Sequence, residues 1–378
     1  MTASHHDDGT RDTHARLSAP VAAQAASAQA ASAGSATEPI GWHEDVLGAP
    51  FEARTLHLGH DNEGEIVATI VRALPQKRRF WMPPLPLDDV DVLYVHGWSD
   101  YFFQRELARF WTDRGARFFA LDLRKYGRSL RDGQTPGYIT DLHDYDADIA
   151  AAMEAMGGSD RAPTPGRRLV LLGHSTGGLV LSLWADRHPG VASAVVLNSP
   201  WLEFQLSGAA RTAVAPVLGL GAKLNPLNVL PQADLGFYTR AQREVRDEPI
   251  DYNLAWRPEQ AFVGHTGWLH AIMEGHRAVA SGLHIDSPVM VMLSTRTVLP
   301  THWTEDLTRA DSVLVVDDIA RRSLSLGESV SLERIPGALH DVFISRADAR
   351  DIAYDRLDRW VRGFLGVKHV PLAPGSYR

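Results

Sequence analysis

The stretch LVLLGHSTGGLVLSLWADRHPG, residues 169–190, places a polar turn between two apolar runs. The first run is typical of a buried strand, and the second has helical length and ends at Pro-Gly. Between them Gly173, Ser175 and Gly177 form a G-x-S-x-G pattern. A sharp strand-to-helix turn holds such a serine in a strained conformation and lifts its hydroxyl above the sheet. The pattern predicts Ser175 as a nucleophile, with glycines on both sides to leave room for the turn.

Strand-like and helix-like segments alternate on both sides of this turn. The predicted strands are 51–58, 64–74, 90–97, 116–124, 167–174, 191–200, 287–295 and 328–337, and the predicted helices are 101–115, 144–158, 175–190, 316–327 and 347–366. Such alternation is typical of a mostly parallel sheet with helices on both faces. The turn GHDNEG joins the first two strands, so we expect an antiparallel hairpin at the N-terminal edge of the sheet.

The alternation is interrupted in the middle of the chain. Residues 201–285 contain no convincing buried strand, whereas 209–225 and 265–283 have apolar faces at helical spacing. The strand pattern then resumes twice. We therefore predict an α/β fold with a core formed by 41–200 and 286–378, and with 201–285 as a helical lid inserted before the last two strands.

Composition narrows the class of protein. The 378 residues are 44% hydrophobic and 22% charged, and the net charge of -8 argues against a general nucleic-acid binder. Because there are no cysteines, disulfides, a thiol nucleophile and thiolate metal sites are excluded. Residues 1–40 are rich in Ala, Ser and Gly and have no secretory apolar core, so we expect a disordered low-complexity tail and a cytoplasmic protein. The sequence contains no run of about 18 apolar residues, so no transmembrane segment is predicted.

A serine nucleophile needs a base, because its hydroxyl is unreactive at neutral pH. In a strand–turn–helix site of this kind the chain order is nucleophile, acid, histidine, so the base lies after Ser175. His340, in IPGALHDVF, follows the last predicted strand by a short loop and is expected at the same sheet edge as Ser175. Three of the other histidines after Ser175 lie elsewhere: His188 at a helix end, His302 where an acid is expected, and His369 in the C-terminal tail. The remaining ones belong to the insert: His265, His270, His276 and His284.

The acid is expected after the strand 287–295. The candidates are Glu305, Asp306, Asp311, Asp317 and Asp318. Asp317 and Asp318 open a predicted helix and are plausible caps, whereas Asp311 stands in a loop ahead of it. The residues alone favour Asp311 only slightly over the others.

Four segments together resemble the α/β-hydrolase superfamily, in particular its branch of monoacylglycerol lipases and serine aminopeptidases. They are YVHGWSDYF, ALDLRKYGRSLRDG, GHSTGG and GALHDVFIS, and the resemblance covers about Val90 to Gly366. The resemblance implies these roles: Ser175 as nucleophile, Asp311 as acid, His340 as base, and the backbone N–H groups of Trp98 and Thr176 as the oxyanion hole. It also places the insert where this family carries its lid.

The chain departs from the family pattern at two places. The acid usually lies close behind its strand, but here LSTRTVLPTHWTEDLTRAD inserts residues before Asp311. Trp98 occupies a position that is usually small, so we expect it to narrow the acyl pocket or shape its mouth. Asp122 and Arg124 are expected to be structural, tying a loop after a strand to its neighbours.

The expected function is hydrolysis of carboxylic esters with apolar, monoacylglycerol-like acyl groups by a Ser-Asp-His triad, without metal or organic cofactor. In the lid, Trp268, Leu269, Ile272 and Met273 are candidates for an acyl groove, and packing of the lid core is the other interpretation.

One alternative function is a serine aminopeptidase, which would need a carboxylate for the substrate's amino terminus. Its candidates are Glu203, Asp234, Glu244 and Asp247. Another alternative is a non-catalytic ligand-binding protein on the same scaffold.

Overall fold

The structure is a computed structural model that describes residues 41–77, 79, 81–204, 221, 224–231, 234–246 and 250–366. Its strands are β1 His43–Glu44, β2 Glu52–Asp61, β3 Gly64–Ala73, β4 Val90–Val95, β5 Arg117–Asp122, β6 Arg168–His174, β7 Ala192–Asn198, β8 Val289–Ser294 and β9 Val330–Ile335. They form one sheet in the order β1-β2-β3-β5-β4-β6-β7-β8-β9. Strands β4 to β9 pair in parallel, and β1, β2 and β3 pair antiparallel.

The helices lie between the strands in the sequence. Those of the described residues are α1 Arg105–Thr112, α2 Tyr145–Met156, α3 Thr176–Arg187, α4 Phe237–Glu244, α5 Thr266–Ser281, α6 Val316–Ser323 and α7 Ala347–Phe364. Helix α2 ends at Gly157, whose φ of 98° is the left-handed conformation that terminates helices well. None of the helices in the described ranges is long and apolar enough to cross a membrane.

Two apolar layers cover the two faces of the sheet. Every residue of β4 and β8 is buried, which explains why their sequences VDVLYV and VMVMLS do not alternate with polar residues on one face. Side chains of α2, α3, α5 and α6 pack in one layer, and those of α1 and α7 pack in the other. The predicted α/β fold with helices on both faces and an antiparallel N-terminal edge is confirmed.

Some element boundaries differ from the predicted ones. Helix α1 begins at Arg105 rather than at 101, because the N–H of Phe102 donates to Asp122 (2.9 Å) and holds that segment outside the helix. The hairpin strands extend to Asp61 and from Gly64, so the turn is shorter than GHDNEG. Helix α6 ends at 323 instead of 327.

The predicted insert, 201–285, falls between β7 and β8 in the sequence. Its described residues contain α4, α5 and an isolated bridge between Val229 and His265, but no longer strand. Helix α4 falls in a segment whose polar sequence carried no helix prediction. The predicted tail 1–40 lies outside the described residues, as do Asp247, His369 and most of the predicted helix 209–225. The domain boundaries stay predictions.

The parallel strands bring several loops to one edge of the sheet. Strands β4, β6, β7, β8 and β9 run in the same direction, so their carboxyl ends and the loops that follow lie at that edge. The residues after β4, β6, β8 and β9 include Trp98, Ser175, Asp311 and His340, respectively. Residues that are far apart in the sequence therefore meet there.

Candidate active site

Ser175 occupies a strained turn between β6 and α3. Its backbone has φ 51° and ψ −117°, a conformation that residues other than glycine rarely adopt. The residue is 8% exposed and directly precedes the first residue of the helix. Strain of this kind is retained where the surrounding structure enforces it, and a nucleophile turn is one such place.

Glycine is required at the positions that flank this turn. A Cβ on Gly173 would lie 2.7 Å from the carbonyl oxygen of Gly177, and a Cβ on Gly177 would lie 2.3 Å from that of His96. Gly178, which the sequence analysis did not single out, is equally confined, because a Cβ there would lie 2.7 Å from Pro200. The three glycines allow α3 to lie close to β6 and to the segments that follow β4 and β7.

His340 and Asp311 form a buried pair at the same sheet edge. Nδ1–H of His340 donates to Oδ2 of Asp311 at 3.0 Å, and the two residues are 2% and 0% exposed. Nε2 of His340 is buried and has no partner in the described part of the chain. This hydrogen bond selects the tautomer in which Nε2 carries the lone pair, which is the arrangement a general base needs.

The extra residues before Asp311 form a loop that returns to the sheet edge. The N–H of Asp311 donates to the carbonyl of Arg296 (3.0 Å), and its own carbonyl accepts from the N–H of Val298 (2.9 Å). Its Oδ1 accepts from the N–H groups of Val313 and Leu314, at 2.7 and 2.8 Å. Asp311 is thus held on both sides, with one carboxylate oxygen left for His340.

Three of the other candidate acids pair with arginines instead of with His340. Asp306 pairs with Arg296 and is 63% exposed, and Asp317 pairs with Arg334 and is 68% exposed. Asp318 pairs with Arg321 on the surface of α6. Among the described hydrogen bonds of His340, the only carboxylate is that of Asp311.

The two amides expected to form an oxyanion hole belong to residues next to the turn of Ser175. Gly97 is so close that a Cβ placed on it would lie 3.0 Å from Cβ of Ser175, and Trp98 follows it directly. Thr176 is the first residue of α3, where N–H groups have no partner within the helix and the helix dipole is positive. The hydrogen bonds of the described residues include none donated by the N–H of Trp98 or Thr176. Their role as an oxyanion hole stays a prediction.

The four candidate acyl-groove residues of the insert have different surroundings. The ring of Trp268 packs on the ring of Trp98, with centroids 3.9 Å apart, and so lies beside the proposed oxyanion hole. Ile272 is fully buried in the core layer, and Leu269 packs against that layer. Met273 is partly buried. Lining of an acyl groove stays a prediction for all four. Trp268 and Ile272 belong to the buried core layer and Leu269 packs against it, which agrees with core packing as the other interpretation.

Several aromatic residues near the site carried no signal in the sequence. Tyr238 of α4 packs against His340, with ring centroids 5.6 Å apart, in a stretch that reads as polar. Phe262 and Tyr126 pack edge-on against Trp98, and Trp201 lies 5.9 Å from Trp268. Scattered single aromatics have no period, so only the fold brings them together.

Of the four carboxylates considered for an amino-terminus site, the three in the described ranges already have partners. Glu203 pairs with Arg322, and Glu244 pairs with Arg240 on the surface of α4. Asp234 accepts from the N–H groups of Gly236 and Ala261. In the described ranges, no group of three or more His, Asp or Glu residues is arranged to hold a metal ion.

A buried carboxylate anchors the loop that carries His340. Asp341 is 1% exposed and accepts from Nδ2 of Asn198 and Nε2 of Gln104, both at 2.7 Å. His174, which precedes the serine, lies with Nε2 4.0 Å from Asp341 and its ring 5.0 Å from that of His340. Burial lowers the pKa of His174, although the charge of Asp341 acts in the opposite direction.

Asp122 and Arg124 hold the loop after β5, as predicted. Besides the N–H of Phe102, Asp122 accepts from the guanidinium of Arg128, which is 9% exposed. Arg124 pairs with Asp148, which is fully buried. The bonds of Asp122 and Arg124 therefore hold the loop in place. None of their described hydrogen bonds or ion pairs reaches Ser175 or His340.

Comparison with known proteins shows the family to which the chain belongs. Residues 89–296 match the family model described as serine aminopeptidase, S33. A monoacylglycerol lipase of Mycolicibacterium smegmatis is 27% identical over 289 residues, which are 75% of this chain and 92% of that protein. Lysophospholipase L2 of Escherichia coli K12 is 34% identical over 115 residues, 30% of this chain and 33% of that one. The match to the latter thus spans about a third of that relative.

Solved structures of low sequence identity share the fold. A soluble variant of monoglyceride lipase from Saccharomyces cerevisiae has a TM-score of 0.56 at 15% identity, covering 82% of this chain and 96% of that one. The monoacylglycerol lipase of Paleococcus ferrophilus has a TM-score of 0.55 at 17% identity, with coverages of 78% and 99%.

Proposed function

Because the chain belongs to the serine aminopeptidase S33 family of α/β-hydrolases, we propose that it hydrolyses carboxylic esters with apolar, monoacylglycerol-like acyl groups through an acyl-serine intermediate. The observation that carries the proposal is the buried hydrogen bond between His340 and Asp311, next to the strained turn of Ser175. The similarity to a monoacylglycerol lipase along most of both chains supports an ester as substrate.

In the proposed reaction His340 takes the proton of Ser175 while Oγ forms a bond to the acyl carbon and the carbonyl π bond opens to an oxyanion. The N–H groups of Trp98 and Thr176 hold the oxyanion, and one such donor contributes about 3 kcal/mol to the barrier reduction. When the tetrahedral intermediate collapses, the alcohol leaves with the proton from His340, and the acyl group stays on the serine.

Water completes the cycle. His340 takes one of its protons as the oxygen attacks the acyl-serine, and Ser175 leaves with that proton as the carboxylic acid is released. Throughout, the ionised carboxylate of Asp311 stabilises the imidazolium and keeps Nδ1 protonated. No step of this scheme requires a cofactor.

The aromatic surroundings favour an apolar acyl group. Trp98, which follows the Gly97 that approaches Ser175, packs against the rings of Trp268 and Phe262. Packing of aromatic and other apolar side chains against a buried alkyl chain is favourable in free energy.

A cytoplasmic location is also part of the proposal. It rests on the composition of residues 1–40 and is tested by cell fractionation.

The proposal is tested with p-nitrophenyl esters of increasing acyl length and with aminoacyl amides. We expect ester turnover by the wild type and a loss on the order of 10⁶-fold in Ser175→Ala, since removal of a nucleophile leaves only residual catalysis. Ser281→Ala, at the end of α5 where the hydroxyl bonds only its own helix, is the matched control. A fluorophosphonate should label the wild type and not Ser175→Ala.

Two other outcomes would contradict the proposal and favour another function. Turnover of amides alone would favour the serine aminopeptidase. If neither class reacts and the fluorophosphonate does not label the protein, the chain is a binding protein on a hydrolase scaffold.

A further inference from the structure

The loop after β4 is held by the insert at four consecutive residues. The contacts, in chain order, are the Trp98 ring on the Trp268 ring (centroids 3.9 Å apart), Oγ of Ser99 accepting from the N–H of Phe262 (3.0 Å), Oδ1 of Asp100 accepting from Nε of Arg257 (2.9 Å), and Oη of Tyr101 accepting from the N–H of Asn253 (2.6 Å). This loop includes Trp98, whose N–H is one of the two proposed oxyanion donors. The insert therefore contacts the side chains of the segment whose backbone carries the donor.

The charged contact among the four is buried. Asp100 and Arg257 are 6% and 5% exposed, and the guanidinium also donates through Nη2 to Oε1 of Gln242, which is 1% exposed. A buried ion pair is costly to break from one side, because the remaining charge lies unpaired in a medium of low polarity. Without Arg257, the carboxylate of Asp100 would have to move toward water.

Such a movement would reach the proposed oxyanion donor. Ser99, between Asp100 and Trp98, has φ 53°, so the tip of the loop is strained and depends on its contacts. On the core side the N–H of Phe102 donates to Asp122, and the ring of Trp98 packs edge-on against that of Tyr126. Between these two contacts, the side chains of Ser99, Asp100 and Tyr101 bond to the insert. The segment between Gly97 and Phe102 is thus held at its tip by the insert.

We infer that Arg257 is a positioning residue that acts through Asp100 to hold the N–H of Trp98 where the oxyanion forms. The insert is then a structural part of the oxyanion hole as well as a cover over the site. This inference rests on the proposed ester hydrolysis, because an oxyanion hole has a role only if an acyl group is transferred.

The test compares Arg257→Met, Arg257→Lys and the neutral double variant Asp100→Asn/Arg257→Gln with the wild type. Arg243→Met is the matched control, since Arg243 lies on α4 of the same insert and pairs with the exposed Glu259. The readouts are kcat and KM for a p-nitrophenyl ester, and inhibition by an alkylboronic acid, which forms a tetrahedral adduct with the serine and places an oxygen in the oxyanion hole.

We expect Arg257→Met to lower kcat about 10- to 100-fold with KM changed less than about threefold, because the loss falls on the transition state. The boronic acid should bind more weakly by a similar factor. Arg257→Lys should recover part of both losses, since it restores the charge beside Asp100. Arg243→Met should match the wild type.

Three results would overturn the inference: unchanged kcat and boronic acid affinity in Arg257→Met, a rise in KM alone, or a loss of kcat without a loss of boronic acid affinity. If Arg257→Met does not fold, Arg257→Lys and the neutral double variant decide by the same readouts. Absence of ester turnover in the wild type would instead refute the proposed function.

Discussion

At the scale of single residues, the site depends on which atoms already have partners. Oδ1 of Asp311 accepts from two backbone N–H groups, and Oδ2 accepts from Nδ1 of His340. Nε2 of His340 has no partner in the described part of the chain. A buried polar atom without a partner costs free energy, and it is retained where a substrate or reacting group supplies the missing contact. The imidazole is thus oriented from one side and available on the other.

Asp311→Asn should lower turnover on the order of 10⁴-fold with little loss of stability. The asparagine oxygen can still accept from the two backbone N–H groups, but its amide would donate to Nδ1 and favour the imidazole tautomer that cannot act as a base. Steady-state kinetics on an ester measures the loss, and thermal unfolding checks the fold.

The controls for this change are Asp306→Asn and Asp317→Asn, which remove exposed carboxylates paired with arginines. Surface pairs contribute about 1 kcal/mol or less to stability, so both variants should keep nearly full activity. A loss in either control as large as that of Asp311→Asn would mean that Asp311 is not the acid.

At the scale of elements, the turn from β6 into α3 works because the helix starts very close to the neighbouring strand. Carbonyl oxygens of Val95 and His96 lie within 2.4 Å of where a Cβ of Gly177 would be. This approach brings the N-terminus of α3, with its free N–H groups, next to the loop that carries Trp98. The two proposed oxyanion donors come from different elements, and their separation is set by this packing.

Gly177→Ala should destabilise the protein by about 2 kcal/mol, because the added methyl group meets backbone that cannot rotate away. It should also reduce ester turnover, since α3 must shift away from the loop after β4. Urea denaturation and steady-state kinetics measure the two effects.

Gly363→Ala is the control at the same scale. Gly363 lies in α7, and a Cβ on it would meet nothing within 4 Å. Alanine is favoured over glycine in helices by about 1 kcal/mol, so this variant should be slightly more stable and equally active. If Gly177→Ala behaves in the same way, close packing at the turn is not what requires glycine.

At the scale of the whole molecule, the sheet edge holds a buried polar network beside the site. His174, Asn198, Gln104 and Asp341 come from four separate segments and meet between the two apolar layers. Protonation of His174 would place a cation in this network. Burial lowers its pKa in the folded protein, although Asp341 and Asp100 raise it and His340 adds to the lowering.

The pH dependence of stability follows from this shift. Because the pKa of His174 is lower in the folded state, the unfolded chain takes up a proton first as the pH falls below about 6.5. Stability from this residue is therefore complete above that value and decreases toward lower pH. The melting temperature of the wild type should fall between pH 8 and pH 5.5, and the fall should be smaller in His174→Asn.

His143→Asn is the control for this effect, because His143 is 65% exposed beside Asp141. Its pH dependence should match that of the wild type. If His174→Asn loses as much stability between the two pH values as the wild type does, protonation of His174 does not contribute to the fall.

The sequence by itself determined the fold class and the place of the serine turn. Apolar periodicity and glycine spacing are local properties, so eight of the nine strands, most helices, Gly173, Gly177 and the position of His340 after the last strand could be predicted without the structure. The two-residue strand β1 was not predicted. The choice among Asp306, Asp311 and Asp317 could not, because it depends on how the loop after β8 returns to the sheet edge. The contacts of Tyr238 with His340 and of Arg257 with Asp100 were equally invisible in the sequence. Only the tertiary structure decided them, since a distance between residues far apart in the chain depends on the path of everything between them.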